Sequence, residues 1–291
     1  MKFTNNYNLP DDIIDAIEYR EEDGIIEDAY RVTTLIQPVQ KTELVKRFGG
    51  SLDYSQMLDI LDGNAYHDYM QKVNISKNRI AEKRIVKTLN GVKITGKIDV
   101  IRKNEDDSLI IVDYKKANVW KFVYRNFDDW TKQLNIYNWL LDFKASKLLI
   151  RATLKNWDKN KKDADYPNLP FQEISLPIWS PDETIGYIQH RVELLKSFEA
   201  KTDEDLLTNV YCTDEEQYKQ PEKFAVIKKG NKKALVLCNT IEEAFDKVEH
   251  LGNGYTVEIR PSVSKCLDYC SASAVCPLRK QQAGVMEISN D

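Results

Sequence analysis

Cysteine is scarce and odd in number in this chain, long apolar runs are missing, and basic residues do not outnumber acidic ones. The 291 residues include five cysteines. Three of these, Cys266, Cys270 and Cys276, crowd together, which suits metal binding better than a secreted disulfide framework. No apolar run approaches the roughly 18 residues that a membrane span requires, and the first ten residues lack the continuous apolar stretch of a secretion signal. The expected setting is a reducing cytoplasm (the host's, if the chain is phage-encoded), with no membrane partner. A net charge of -4 excludes a coat of positive charge and leaves nucleic-acid binding to a locally basic groove. Repeats and low-complexity tracts are absent too.

What is present suits a soluble globular protein, with 42% hydrophobic and 30% charged residues. The length allows one large domain with insertions or two modest ones. Residues 1–75 read as a helical N-terminal region carrying acidic stretches such as Glu21 to Asp23. Its last part, Asp53 to Val73, has Met57, Leu58, Leu61, Ala65 and Met70 at near-helical spacing, and Gly63 interrupts the pattern, so one helix or two are expected. Residues 76–202 read as an α/β core. Two β-rich stretches, Ile80 to Leu89 and Val92 to Ile101, flank Asn90-Gly91, a strong hairpin signal. The apolar run Leu109 to Val112 predicts a strand buried on both faces. A helix over Trp130 to Phe143, strands near Leu148 to Leu154 and Phe171 to Ile178, and a helix over Pro181 to Ala200 complete a central mixed β-sheet flanked by helices. Residues 203–291 read as a small accessory α+β element, strand-strand-helix-strand, followed by the cysteine-rich tail.

Asp113-Tyr114-Lys115 ends the apolar strand. Side chains alternate along a strand, so Asp113 and Lys115 share a face. The preceding strand ends in Gly96-Lys97-Ile98-Asp99, and its pairing with the next brings Asp99 within reach of Asp113. Two adjacent carboxylates resist joint ionisation unless a cation lies between them, and hard, oxygen-seeking Mg²⁺ or Mn²⁺ is the natural occupant. An acid, any residue, then lysine is common in a charged chain: Asp142-Phe143-Lys144 and Glu199-Ala200-Lys201 match equally. Those two fall on predicted helices, where positions two apart diverge, and neither follows a hairpin with a second acid.

The ordered set Gly-Lys-Ile-Asp99, Ile-Val-Asp113-Tyr-Lys115 and Gln133-Leu-Asn-Ile-Tyr137, preceded by His67 in Asp-Gly-Asn-Ala-Tyr-His, resembles the RecB-type PD-(D/E)XK nucleases. The resemblance implies a restriction-endonuclease-like core and a Mg²⁺- or Mn²⁺-dependent DNA nuclease, in the exonuclease manner of many members. It implies His67, Asp99 and Asp113 as metal ligands, Lys115 as the catalytic lysine, and Gln133 and Tyr137 as the motif that positions DNA or the lysine. The tail resembles the C-terminal cysteine cluster of iron-sulfur members. Those relatives carry a fourth cysteine ahead of the core, where this sequence has none, so Cys212 is the best candidate to join Cys266, Cys270 and Cys276 around a [4Fe-4S] cluster or Zn²⁺. Cys238, in an apolar run, reads as a small buried hydrophobe.

Glu82, on the preceding strand, could face the site too, and a solvated surface glutamate is the favoured reading. Basic groups at Lys83, Arg84 and Lys87, and at Lys155 with Lys159 to Lys162, read as solvated surface. Lys116, Lys121 and Arg125 interleave with Trp120, Tyr124 and Trp130 between the metal motif and Gln133, where they would contact a DNA backbone and stack on unpaired bases. Small single-chain relatives occur in bacteriophages and CRISPR adaptation systems, so a protein partner in recombination, repair or adaptation is a further expectation. A catalytically silent DNA-binding module and a partner-binding assembly protein are the rival readings.

Overall fold

The computed structural model describes residues 2–19, 26–76, 79–161, 163–279 and 281–282. The acidic stretch Glu21 to Asp23 and Lys162 lie outside the described residues. The chain divides into two compact units, one of Phe3–Val39 with Asp53–Ala200, the other of Met1–Lys2, Gln40–Leu52 and Lys201–Asp291.

The larger unit is built on a six-stranded mixed sheet. Its elements are β1 (Ala29–Arg31), α1 (Tyr54–Ser76), β2 (Ile80–Leu89), β3 (Val92–Lys103), β4 (Leu109–Asn118), α2 (Val119–Val123), α3 (Asp128–Leu140), β5 (Ala145–Lys155), β6 (Phe171–Leu176) and α4 (Pro181–Glu199). The central mixed sheet with flanking helices is the expected α/β architecture. Asn90 and Gly91 both take positive φ, 49° and 78°, as a two-residue hairpin turn demands, so β2 and β3 pair antiparallel from Leu89↔Val92 to Ile80↔Ile101. Gly63 does not break α1, which runs continuously from Tyr54 to Ser76. A Cβ at Gly63 would meet nothing within 4 Å, so the glycine costs only its intrinsic helix penalty of about 1 kcal/mol.

β3 changes partners along its second edge. Residues Lys93 to Thr95 pair parallel with β1, and Val100 to Lys103 pair antiparallel with β4. Between them, Gly96 to Asp99 have no ladder partner on that edge among the described residues. β4 in turn leaves β3 after Val112 and runs on beside β5 alone, in parallel, to Asn118. The sheet therefore forks between Asp99 and Asp113.

The β4-to-β5 crossover carries α3, in which every residue from Trp130 to Leu140 is buried except Lys132. A helix enclosed this completely must satisfy its polar groups internally. Asn135 donates to Pro177 O at 3.0 Å and accepts from Trp179 N at 2.8 Å, and Asn138 accepts from Ala145 N at 2.9 Å. α3 stops at Leu140, earlier than its apolar spacing suggests, because Asp142 and Phe143 take φ of 55° and 59°. The Asp142-Phe143-Lys144 tripeptide is thus a turn, with Asp142 paired to Lys87 at 2.6 Å.

Gly96 fixes how closely α3 approaches β3. A Cβ there would lie 2.7 Å from Tyr137 Cε1 and 2.8 Å from Leu140 Cδ1, inside any tolerable contact. Gly96→Ala should lower stability by about 1–3 kcal/mol, the usual cost of overpacking, and urea denaturation of the variant would show it as a reduced midpoint.

In the smaller unit, β7 (Lys223–Lys228) pairs antiparallel with both β8 (Val236–Cys238) and β9 (Tyr255–Arg260), and α5 (Ile241–Leu251) joins β8 to β9. Val226, Cys238 and Ala244 form its core, with Phe224, Val236, Val248, Tyr255 and Val257 packed around them. The buried Gln40 ties the helix Val39–Phe48 to the segment that leads to Cys212. It donates to Asn209 O at 2.7 Å and accepts from Tyr211 N at 2.8 Å and Cys212 N at 3.2 Å.

Candidate active site

The fork gathers the charged side chains. Asp99 Oδ2 accepts from Tyr114 N at 2.8 Å, so a carboxylate stands where a neighbouring strand's carbonyl would continue the ladder. The same oxygen lies 3.2 Å from His67 Nδ1. His67 comes from α1, whose Tyr66 and Met70 pack on Val100, Val112, Tyr114 and Leu149.

Asp113 is only 1% exposed, and neither of its oxygens accepts a hydrogen bond among the described residues. Among the described residues its ion-pair partner is Lys115, with Nζ 2.7 Å from Oδ2. Burial pushes the Asp113 carboxyl up to about 6, with Lys115 opposing the shift and the charge of Asp99 adding to it. For Lys115, burial pulls the pKa down, but Asp113 and Asp99 outweigh it and the ammonium is held above its ordinary value. Lys115 Nζ also donates to Gln133 Oε1 at 3.3 Å, and Gln133 Nε2 donates to Tyr137 OH at 3.0 Å. Tyr137 is itself buried, and burial followed by the Asp113 charge drives its phenol well above the usual range. Gln133 and Tyr137 thus form a hydrogen-bonded relay from α3 to Lys115.

Glu82 takes the less favoured of its two readings and faces the site. Its side chain is 11% exposed and 2.7 Å from Lys97 Nζ, not solvated. Ala81 pairs with Val100 and Lys83 with Ile98, so Glu82 stands opposite Asp99. It does so with a φ of 53°, a left-handed conformation that costs a non-glycine residue on the order of 1–3 kcal/mol. Burial, then the Asp99 charge, raises its pKa against the pull of Lys97. Period-two alternation gives no warning of such a twist. The only usable signal is its place directly across the hairpin from Asp99, counted from Asn90-Gly91.

Ligand atoms of His67, Glu82 and Asp99 all lie within 4.8 Å of one another. Burial lowers the His67 pKa, but its hydrogen bond to Asp99 and the charges of Asp99 and Asp113 more than compensate. Two carboxylates, Glu82 and Asp99, converge beside the His67 imidazole, and Asp113 stands outside that group, buried against Lys115. Such a donor set fits a hard divalent cation.

The groups proposed to touch DNA divide. Lys116 is engaged by Asp62, and Lys121 pairs with Asp129 at 2.8 Å while lying 4.5 Å above the Trp130 ring. Arg125 is largely exposed, 3.8 Å from Asp165. Trp120 is 39% exposed and Tyr124 74%. Their rings stack at 5.9 Å and 23°, and Lys161 Nζ sits 4.0 Å over Trp120.

In the smaller unit, Cys212, Cys266, Cys270 and Cys276 are free thiols close enough to repel one another as thiolates. Burial, then Glu216 and the three other cysteines, pushes Cys212 up to about 12. Burial, then Cys270 and Cys276, pushes Cys266 up to about 11. Gln217 links two of the segments, donating to Cys212 O at 2.6 Å and accepting from Cys266 N at 3.1 Å through its own carbonyl. The four sulfurs do not form a group within 4.8 Å.

Comparison with curated protein sequences gives no match. Among solved structures, SSO0001 is similar at 18% identity and a TM-score of 0.46, over 62% of this chain and 84% of that one. A phage-related exonuclease from Haemophilus somnus 129PT aligns at 15% identity and a TM-score of 0.39, over 58% and 92%. An alkaline exonuclease from Laribacter hongkongensis aligns at 12% and 0.37, over 60% and 89%. The family model described as the PD-(D/E)XK nuclease superfamily matches residues 65–277, a span that holds His67, Glu82, the fork, the α3 relay and all five cysteines. The chain belongs to the PD-(D/E)XK nuclease superfamily.

Proposed function

We propose that the protein is a metal-dependent deoxyribonuclease that hydrolyses phosphodiester bonds at the β3–β4 fork, acting as an exonuclease. The carrying observation is Asp113, a buried carboxylate at the fork whose oxygens have no hydrogen bond and whose neighbours are Asp99 and Lys115. Asp99, Asp113 and His67 would hold Mg²⁺ or Mn²⁺. When bound, that ion supplies Lewis acidity and an acidified water. Lys115, kept as an ammonium by Asp113 and Asp99 and aimed by Gln133, places a positive charge where negative charge develops on the phosphate. Burial raises the Asp113 pKa against the pull of Lys115, and a cation bound beside it would favour the ionised form. The exonuclease mode is supported by the motif resemblance.

End-labelled single- and double-stranded DNA, incubated with Mg²⁺ or Mn²⁺ and with a chelator, tests this reading. Divalent-dependent digestion from the ends is the expected result. DNA binding without turnover under every condition would instead identify a silent binding module.

The exposed Trp120–Tyr124 stack, crowned by Lys161, supports an unpaired DNA strand as the bound form, because every base offers a π-face. Trp120→Ala should weaken single-stranded DNA binding about tenfold, since one base stack is worth roughly 1–3 kcal/mol, and fluorescence anisotropy with a labelled oligonucleotide would measure it. Lys116, Lys121 and Arg125 would add phosphate contacts at its flank.

Cys212, Cys266, Cys270 and Cys276 are proposed to share a structural [4Fe-4S] cluster or Zn²⁺. Support comes from their mutual electrostatic proximity, which a cation would relieve. Iron and zinc content of anaerobically purified protein would decide between the two.

A further inference from the structure

The ion pair between Glu82 and Lys97 has no part in the nuclease reading so far, although it borders the site on two sides. Lys97 lies on β3 two residues before Asp99, and Glu82 faces Asp99 from β2. A strained backbone, with φ of 53° in the interior of a strand, holds the Glu82 carboxyl against His67 and Asp99 rather than letting it project into solvent. Strain of this kind persists where surrounding structure enforces it, and it concentrates at functional sites. The Lys97 side chain, 30% exposed, sits at the solvent margin on a flexible stem.

We propose that Glu82 joins His67 and Asp99 as a ligand of a divalent cation, and that Lys97 is a built-in counter-cation which the ion displaces from Glu82. The inference rests on the metal-dependent reading above. A dication and an ammonium repel each other at one carboxylate, so each excludes the other. With the ion absent, Lys97 neutralises Glu82 and keeps the three carboxylates from repelling one another across the fork. With the ion present, Lys97 swings outward and Glu82 is released to it. The imidazole in this donor set favours Mn²⁺ over Mg²⁺ or Ca²⁺.

Competition of this kind predicts opposite signs for two residues that touch each other. Glu82→Gln keeps the shape and removes the charge, and should weaken Mn²⁺ binding about tenfold or more. Lys97→Met keeps most of the stem and removes the competitor, and should tighten Mn²⁺ binding about five- to tenfold. Both are measured by isothermal titration of the full chain with Mn²⁺ near pH 8, with circular dichroism confirming that each variant is folded. Opposite shifts would support the proposal. Unchanged affinity in Glu82→Gln, or affinity unchanged or weakened in Lys97→Met, would overturn it and leave the pair as a structural tie. Wild-type protein that takes up no Mn²⁺ would overturn both this proposal and the metal-dependent reading, whereas wild-type uptake that Glu82→Gln does not alter would overturn this proposal alone.

Discussion

Lys115→Ala should lower the rate of DNA hydrolysis by about a hundred- to a thousandfold, the usual cost of removing one preorganised charge from a developing anion, while leaving Mn²⁺ binding in place. The ammonium is fixed from two directions, by Asp113 Oδ2 at 2.7 Å and by Gln133 Oε1 at 3.3 Å. It needs no reorganisation when charge builds on the phosphate. Gln133 is held in turn by Tyr137 on the same face of α3, so Gln133→Ala should reduce the rate less, about tenfold, by loosening the lysine rather than removing it. Single-turnover cleavage of end-labelled DNA measures both. Wild-type rates in Lys115→Ala would remove the residue from the mechanism.

Asp113→Asn should abolish cleavage and yet raise stability at neutral pH. The folded chain holds the Asp113 proton more tightly than the unfolded chain does, at about 6 against an ordinary 3.8. The buried charge therefore weakens the fold in full above about pH 6, progressively less as the pH falls through that value, and not at all once the pH is below about 4. Two pKa units correspond to roughly 3 kcal/mol. That shift already contains the pairing with Lys115, which holds the Asp113 pKa down, so the loss of this partner is not deducted a second time. Asparagine does not titrate, so the advantage of the variant should be widest near pH 8 and should close towards pH 4. Urea denaturation of both proteins across that range reads the gap directly. A gap that is constant with pH, or a variant less stable near pH 8, would show that burial does not govern this carboxyl.

Local sequence carried the hairpin and the fork's strands because their signals are short-range. Asn90-Gly91 supplies two positive φ angles at adjacent positions, and Ile111 and Val112 are buried on opposite faces of their strand. The acid–lysine pair on β4 follows from strand alternation alone. What escaped depends on contacts between distant residues or on backbone angles no side chain announces. Glu82 is turned inward by a left-handed φ that neither glycine nor asparagine signals. Lys116 reads as a free base in the chain, yet Asp62 neutralises it from 54 positions upstream. The segment before Cys212 is held by the buried Gln40, more than 160 positions earlier in the chain. The end of α3 is set by Asp142 and Phe143 in φ-positive turns, conformations that sequence periodicity does not encode.

Crystals grown with Mn²⁺ and measured at the manganese absorption edge give the most direct test of the site. An anomalous peak is expected in contact with the carboxylates of both Asp99 and Asp113, and is expected to be lost in Asp113→Asn. A peak confined to other parts of the chain, or none at the fork in a Mn²⁺-loaded crystal, would contradict the assignment of the site.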